Sequence, residues 1–125
     1  MAKAVRISAR ERLRLLKRLR ALCLSLPETT ERLSHGESAF FFKEMRSFAN
    51  TDTYHHGAEH YAVWIAAPLG AQDVLVRSDP SHFFVPPHVG YRGWVGATLD
   101  NDPDWDELER IVADAYALVA RPKAK

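Results

Sequence analysis

Hydrophobic side chains recur at helical spacing near both ends of the chain. The N-terminal stripe consists of Leu15, Leu16, Leu19, Leu22 and Cys23, and the C-terminal stripe consists of Leu108, Ile111, Val112, Ala115 and Val119. Each stripe follows a capping signal, Ser8 with Glu11 in one case and Asp104 with Glu107 in the other. The pattern therefore predicts one helix over about 9–25 and a second long helix that begins after Asp104.

Between these helices, short apolar or aromatic runs alternate with residues that favour turns. They predict strands over 31–34, 38–43, 61–67, 82–85 and 94–99, a short helix over 70–78 and a polar loop over 50–59. The sequence thus predicts an α+β fold, with a mainly antiparallel sheet of about five strands, two long terminal helices packed on one face and a short third helix. The predicted core residues are Leu15, Leu19, Leu22, Val63, Ile65, Val95, Leu108, Val112 and Tyr116.

The composition is that of one globular domain. The chain has 125 residues, 46% of them hydrophobic and 26% charged, which predicts a single domain over 1–125. Its one cysteine, Cys23, excludes an intramolecular disulfide and fits a reducing compartment. The start of the chain lacks a signal-peptide pattern, and the longest run without charge or histidine, 61–72, is too short to cross a bilayer. We therefore expect a cytoplasmic protein with no membrane partner.

Charge is distributed unevenly along the chain, although the net charge is only +1. Residues 1–20 contain eight Lys or Arg and one acid, whereas residues 100–114 contain seven acids and one Arg. Two interpretations of this asymmetry stay open. The first helix binds an anionic partner, or the two terminal helices lie close together and attract each other.

Nine short segments, taken in order, match the pattern of a known protein family. They are LPETTE (26–31), SHG (34–36), FFKEM (41–45), GAQ (70–72), DP (79–80), FFVPP (83–87), GWVG (93–96), DWDE (104–107) and AYALVA (115–120). In order and spacing they resemble the MmcQ/YjbR family, over roughly residues 15–121. The basic extension over 1–14 lies outside that match.

The resemblance implies a fold similar to the CyaY-like group, an antiparallel sheet backed by helices. The usual label of the family is DNA-binding, which is drawn from a wing-like fold rather than from a contact motif. The family has no accepted catalytic residues, so the resemblance assigns no catalytic role to any position of this chain.

The first candidate site is the basic face of the N-terminal helix. Arg10, Arg14, Lys17 and Arg18 share the face opposite the leucine stripe, and Arg6 extends the charge beyond the cap. This arrangement predicts weak, sequence-independent contacts with DNA phosphates. The alternative is an ordinary solvated basic face.

The second candidate site is a cleft between two loops. His55 and His56 lie in a polar loop before one strand, and relatives in the family also tend to place His-His-Gly there. Tyr91 and Arg92 lie in a stiff loop over 86–94, and an arginine beside an aromatic ring suits a phosphate or a planar ligand. We expect these four residues to border one cleft that binds an unknown small molecule or a protein partner.

Sequence motifs for cofactor, metal or covalent chemistry are missing from the chain. It has no glycine-rich phosphate loop, no cysteine pair and no nucleophile elbow. His56, Glu59 and His60 have a metal-like spacing only on a helix, and the surrounding residues favour a loop. The sequence therefore predicts no catalytic residues, no cofactor and no metal, with an uncharacterised enzyme at the same cleft as a third alternative. It specifies neither the ligand nor the oligomeric state.

Overall fold

The computed structural model of the chain describes residues 6–55 and 57–121. The helices are α1 (Ala9–Leu24), α2 (Ala71–Ser78) and α3 (Trp105–Ala120). The strands are β1 (Thr29–Ser34), β2 (Glu37–Phe42), β3 (Arg46–Thr53), β4 (Tyr61–Ile65), β5 (Phe83–Phe84) and β6 (Val95–Thr98), and a short 3-10 turn covers Gly90–Arg92. The strands form one antiparallel sheet in the order β1-β2-β3-β4-β6-β5, which confirms the predicted fold class.

The core lies between one face of this sheet and the two long helices. Seven of the predicted core residues are buried, and they are Leu15, Leu19, Val63, Ile65, Val95, Leu108 and Val112. Leu22 and Tyr116 are only half-buried and pack at the edge of the core. Both predicted caps are present, since the side chain of Ser8 accepts from the Glu11 amide and Asp104 accepts from the Glu107 amide.

The sheet has six strands rather than about five, because the sequence did not predict β3, whose last four residues, 50–53, fall in the predicted polar loop. The polar side chains of this segment made it look like a loop. In the fold β3 is a central strand between β2 and β4, and Thr51 and Thr53 hydrogen-bond to Glu37 of β2. Buried polar groups with such partners are compatible with a central strand.

The two terminal helices are in contact, as one of the two interpretations of the charge asymmetry expected. The guanidinium of Arg18 on α1 lies 4.7 Å from the ring centroid of Trp105, the first residue of α3. Among the residues that the structure describes, no salt bridge joins α1 to α3. The contact is therefore a cation–π stack beside the acidic start of α3. None of the described helices combines the length and the apolar character needed to cross a membrane.

Candidate functional site

A groove of about 800 Å³ lies on the sheet face opposite α1 and α3. Successive residues of a strand point to opposite faces, so alternate positions of neighbouring strands form its floor. The floor consists of Glu37, Ala39 and Phe41 from β2, Asn50 and Asp52 from β3, and Trp64 from β4. His35, in the turn between β1 and β2, and His88 and Val89, in the loop after β5, form part of the wall.

The strands that form this floor contain a register shift, and the aromatic residues of the floor are buried. The pairing of β2 with β3 shifts register between Phe40 and Phe41, and a bulge of this kind bends the strand. Phe41 and Trp64 are each only 8% exposed. Two histidines of the wall, His35 and His88, have left-handed backbone conformations with φ of 53° and 66°. Such conformations are uncommon for residues other than glycine and cluster at functional sites.

One end of the groove carries an acidic cluster, which we define as Glu37, Asp52 and His55. Glu37 and Asp52 are 8% and 4% exposed, whereas the side chain of His55 is 55% exposed. The Nδ1 atom of His55 lies 2.9 Å from Oε2 of Glu37 and 3.3 Å from Oδ1 of Asp52. The structure therefore places two buried carboxylates and one imidazole around a single point.

The carboxylate of Glu37 is held in place by β3. The hydroxyls of Thr51 and Thr53 donate to Oε1 at 2.9 and 2.8 Å, and the amide of Thr53 donates to Oε2 at 3.0 Å. These three hydrogen bonds fix the orientation of a carboxylate that also faces His55.

A second network fastens the loop that carries His55. Asp100, directly after Leu99, accepts from the Tyr54 hydroxyl and the Tyr61 amide at 2.9 Å each. Its other oxygen lies 2.8 Å from Nδ1 of His60. The burial of Tyr54 raises the pKa of its hydroxyl. One buried carboxylate thus holds residues at both ends of the loop.

The predicted cleft is corrected for two of its four residues, Tyr91 and Arg92. His55 lies in the groove, but Tyr91 and Arg92 do not line it, and His56 lies outside the described residues. Tyr91 is 88% exposed, and Arg92 stacks at 5.6 Å over the ring of Trp94.

The pairing of β4 with β6 gives the physical reason for this correction. These strands are antiparallel neighbours, with Ala62 opposite Thr98 and Ile65 opposite Val95. A loop that precedes β4 and a loop that precedes β6 therefore enter the sheet at opposite ends. The 86–94 loop reaches the groove only through His88 and Val89.

Sequence reasoning missed Glu37 and Asp52. The available signal was only a two-residue spacing, which puts Glu37 with Ala39 and Phe41 on one face of β2 and Asn50 with Asp52 on one face of β3. No apolar alternation accompanies it, because residues 50–53 are all polar. It went unused because residues 50–53 were interpreted as loop.

The basic face of α1 is partly engaged within the molecule. Arg14 forms an ion pair with Glu11, Arg18 stacks on Trp105, and Arg6 lies 4.6 Å from the ring centroid of Tyr54. The hydrogen bond from Arg14 lowers the pKa of Glu11. The other two predicted phosphate contacts, Arg10 and Lys17, are exposed, and no described residue pairs with either of them.

Comparisons with known proteins agree with this architecture. The model of the YjbR family matches residues 24–118. The crystal structure of Deinococcus radiodurans protein DR2400, which contains the family-model domain DUF419, is similar with a TM-score of 0.72. That similarity covers 88% of this chain and 81% of the other chain at 20% sequence identity, so it shows the fold alone. No curated protein sequence matched the chain.

Proposed function

The chain belongs to the YjbR family, and we propose that it is a non-enzymatic binding protein whose small ligand occupies the groove on the sheet face opposite α1 and α3. The observation that carries the proposal is the groove itself. Its volume of about 800 Å³ lies within the range of small-molecule pockets.

The floor of the groove favours a ligand with a planar apolar part. Phe41 and Trp64 line the floor and are each 8% exposed, and the guanidinium of Arg32 lies 3.9 Å from the centroid of the Phe41 ring, so a planar group would extend an existing stack. Polar groups are concentrated at one end, where Glu37, Asp52 and His55 lie. An apolar floor with a few convergent polar groups is typical of pockets that orient one ligand.

A nucleic acid does not suit this groove. Two carboxylates line it, its described lining contains neither lysine nor arginine, and the guanidinium of Arg32 beside the floor is engaged by the Phe41 ring and the Glu44 carbonyl. DNA phosphates would be repelled there rather than neutralised.

The proposal can be tested with a library of planar aromatic fragments, screened by ligand-observed NMR in EDTA. The variant Ser47→Trp places a large ring at a position that lines the groove, and Ser78→Trp makes the same change on the exposed surface of α2. We expect fragments that bind the parent to lose binding to Ser47→Trp and to keep it with Ser78→Trp.

The indole N–H signals of the parent give a second measure that needs no variant. Trp64 lines the groove, whereas Trp105 lies at the start of α3 on the other side of the sheet. A bound fragment should shift the Trp64 signal and leave the Trp105 signal in place. Failure of every fragment to bind the parent, or equal shifts of both signals, would contradict the proposal.

DNA binding by α1 is the second candidate function. The observation that favours it is that Arg10, Arg14 and Lys17 are exposed along one face of α1, with only Glu11 offsetting them locally. Three phosphate contacts would give a slope of log affinity against log salt of about −2.7 on duplex DNA. We expect weak binding without sequence preference, because phosphate contacts carry no sequence information directly.

A charge-reversal pair tests this candidate by gel shift at low salt. The first variant combines Arg10→Glu, Arg14→Glu and Lys17→Glu. The matched control makes the same change of net charge on other exposed surfaces, with Lys43→Glu, Arg77→Glu and Arg110→Glu. DNA binding by α1 requires that only the first variant lose the shift. Equal behaviour of the two variants would exclude it.

A further inference from the structure

The acidic cluster has the donor set of a site for a borderline divalent metal ion. Imidazole nitrogen and carboxylate oxygen are both ligands of Zn²⁺ and of similar first-row ions. Among the residues that the structure describes, Glu37, Asp52 and His55 form the one group of such side chains whose ligand atoms lie within 4.8 Å of one another.

The spacing of the donor atoms fits a coordination polyhedron. Ligands bound at about 2.1 Å to one ion lie roughly 3.0–3.4 Å apart at octahedral or tetrahedral angles. The Nδ1 atom of His55 lies 2.9 Å from Oε2 of Glu37 and 3.3 Å from Oδ1 of Asp52. The three atoms can therefore reach one ion with small side-chain movements.

Two further observations favour an ion at this point. The hydroxyls of Thr51 and Thr53 and the amide of Thr53 already orient the Glu37 carboxylate, as outer hydrogen bonds orient the ligands of metal sites. Asp52, a second buried carboxylate, lies beside it, and a cation between two such groups offsets their repulsion. His55 remains accessible from the groove, which leaves a path for the ion to enter.

We infer that the chain binds one divalent transition-metal ion through Glu37, Asp52 and His55, with an open coordination position toward the groove. This inference replaces the sequence-based expectation of no metal. It rests on the proposed function only in its last step, in which the groove ligand supplies a donor atom to the open position. The alternative explanation of the same geometry is an ion pair of His55 with two carboxylates, without a metal.

The experiment uses the full chain without a histidine tag, stripped with EDTA and then transferred to EDTA-free buffer. CoCl₂ is added, and its visible absorption and calorimetric heat are recorded. We expect one equivalent to bind, with the intense visible bands of an ion that has four ligands. An excess of ZnCl₂ should displace the cobalt and abolish the bands, because Zn²⁺ takes the same nitrogen and oxygen ligands and its filled d shell gives no visible absorption.

Variants assign the site. Glu37→Gln, Asp52→Asn and His55→Ala should each weaken cobalt binding by at least about 10-fold. The matched control is Asp79→Asn, which removes the carboxylate of a separate histidine–carboxylate pair with His82 and should leave binding unchanged.

If Glu37→Gln or Asp52→Asn fails to fold, His55→Ala still tests the inference, because the side chain of His55 is half-exposed and its loss should not unfold the protein. No binding by the parent, or equal binding by the parent and His55→Ala, would overturn the inference.

The two proposals fail separately in these assays. The cobalt titration contains no organic ligand, and the fragment screen contains EDTA. Cobalt binding without fragment binding would support the metal site and contradict the small-molecule function. Fragment binding without cobalt binding would support the small-molecule function and contradict the metal site. Cobalt binding that survives in Ser47→Trp would support a site at the acidic cluster, because Ser47 lies five residues before Asp52 on β3.

Discussion

Replacement of Asp100 by alanine should destabilise the protein and loosen the loop that carries His55. The side chain of Asp100 is 4% exposed, and its two oxygens contact groups from both sides of that loop. Oδ2 accepts from the Tyr54 hydroxyl and the Tyr61 amide, and Oδ1 faces Nδ1 of His60. Alanine removes all three contacts at once and leaves no acceptor in their place.

The size of the effect follows from the kind of groups involved. A hydrogen bond to a charged partner contributes about 1.5–3 kcal/mol, and a buried donor without an acceptor costs about 1–3 kcal/mol. The Tyr61 amide is fixed in β4 and cannot turn toward water, whereas the side chains of Tyr54 and His60 can reorient. We therefore expect Asp100→Ala to lower the free energy of unfolding by about 3 kcal/mol, and Asp100→Asn, which keeps one acceptor, to lower it by about half as much.

Urea unfolding followed by tryptophan fluorescence measures this change directly. Asp114→Ala, at an exposed position of α3, is the matched control and should change the free energy of unfolding by no more than about 0.5 kcal/mol. Under conditions in which Asp100→Ala stays folded, its cobalt affinity should also fall, because His55 is less well positioned. A loss of less than about 1 kcal/mol in Asp100→Ala would refute the reasoning, since it would mean that the network contributes little.

Three other changes test separate parts of the fold. A methyl group on Gly96 would meet the Phe84 ring at 2.3–2.7 Å, so Gly96→Ala should cost about 1–3 kcal/mol in urea unfolding, and adding Phe84→Ala should relieve part of that cost. Burial raises the pKa of the Cys23 thiol to about 12, so a thiol reagent should modify it only after unfolding, and rapid labelling of the native chain would contradict this. The hydrogen bond to Asp79 raises the pKa of His82 above its unfolded value. The stabilisation that this pair contributes is therefore full below about pH 6.5 and is lost as the pH rises through the folded pKa. In urea unfolding, His82→Gln should cost more stability at about pH 5 than at about pH 9.

The helices were predictable because their signals are local. Ser8 and Asp104 mark the two starts within three residues of their partners, and the apolar stripes keep helical spacing over about two and about three turns. The strand β4 was equally clear, since Tyr61–Ile65 is an unbroken apolar run, as expected of a strand that is buried on both faces. β3 was not, because Thr51 and Thr53 are satisfied by Glu37, 14 and 16 residues away in sequence. A long-range partner of this kind leaves no local pattern.

The site was predictable only in part for the same reason. His55 stood out as a histidine in a polar loop, but its partners Glu37 and Asp52 come from two strands whose register the sequence does not specify. Tyr91 and Arg92 were grouped with it through a wrong assumption about antiparallel neighbours. Loops that precede two such strands lie at opposite ends of the sheet, whereas His88 reaches the groove because its loop folds back over the sheet face.

The extent of the family match bears on which candidate function to test first. The match begins at Leu24, the last residue of α1, so the groove lies inside the matched range and the basic residues Arg10 and Lys17 precede it. A function carried by the matched range would reside in the groove, whereas the DNA-binding proposal rests on residues of α1 that precede that range. Deleting α1 cannot separate the two, because Leu19 and Cys23 are completely buried in the core and their loss would unfold the domain. Charge reversal on the exposed face of α1 keeps that core intact, so a variant that loses DNA but still binds fragments in the groove would assign the two properties to opposite faces of the sheet.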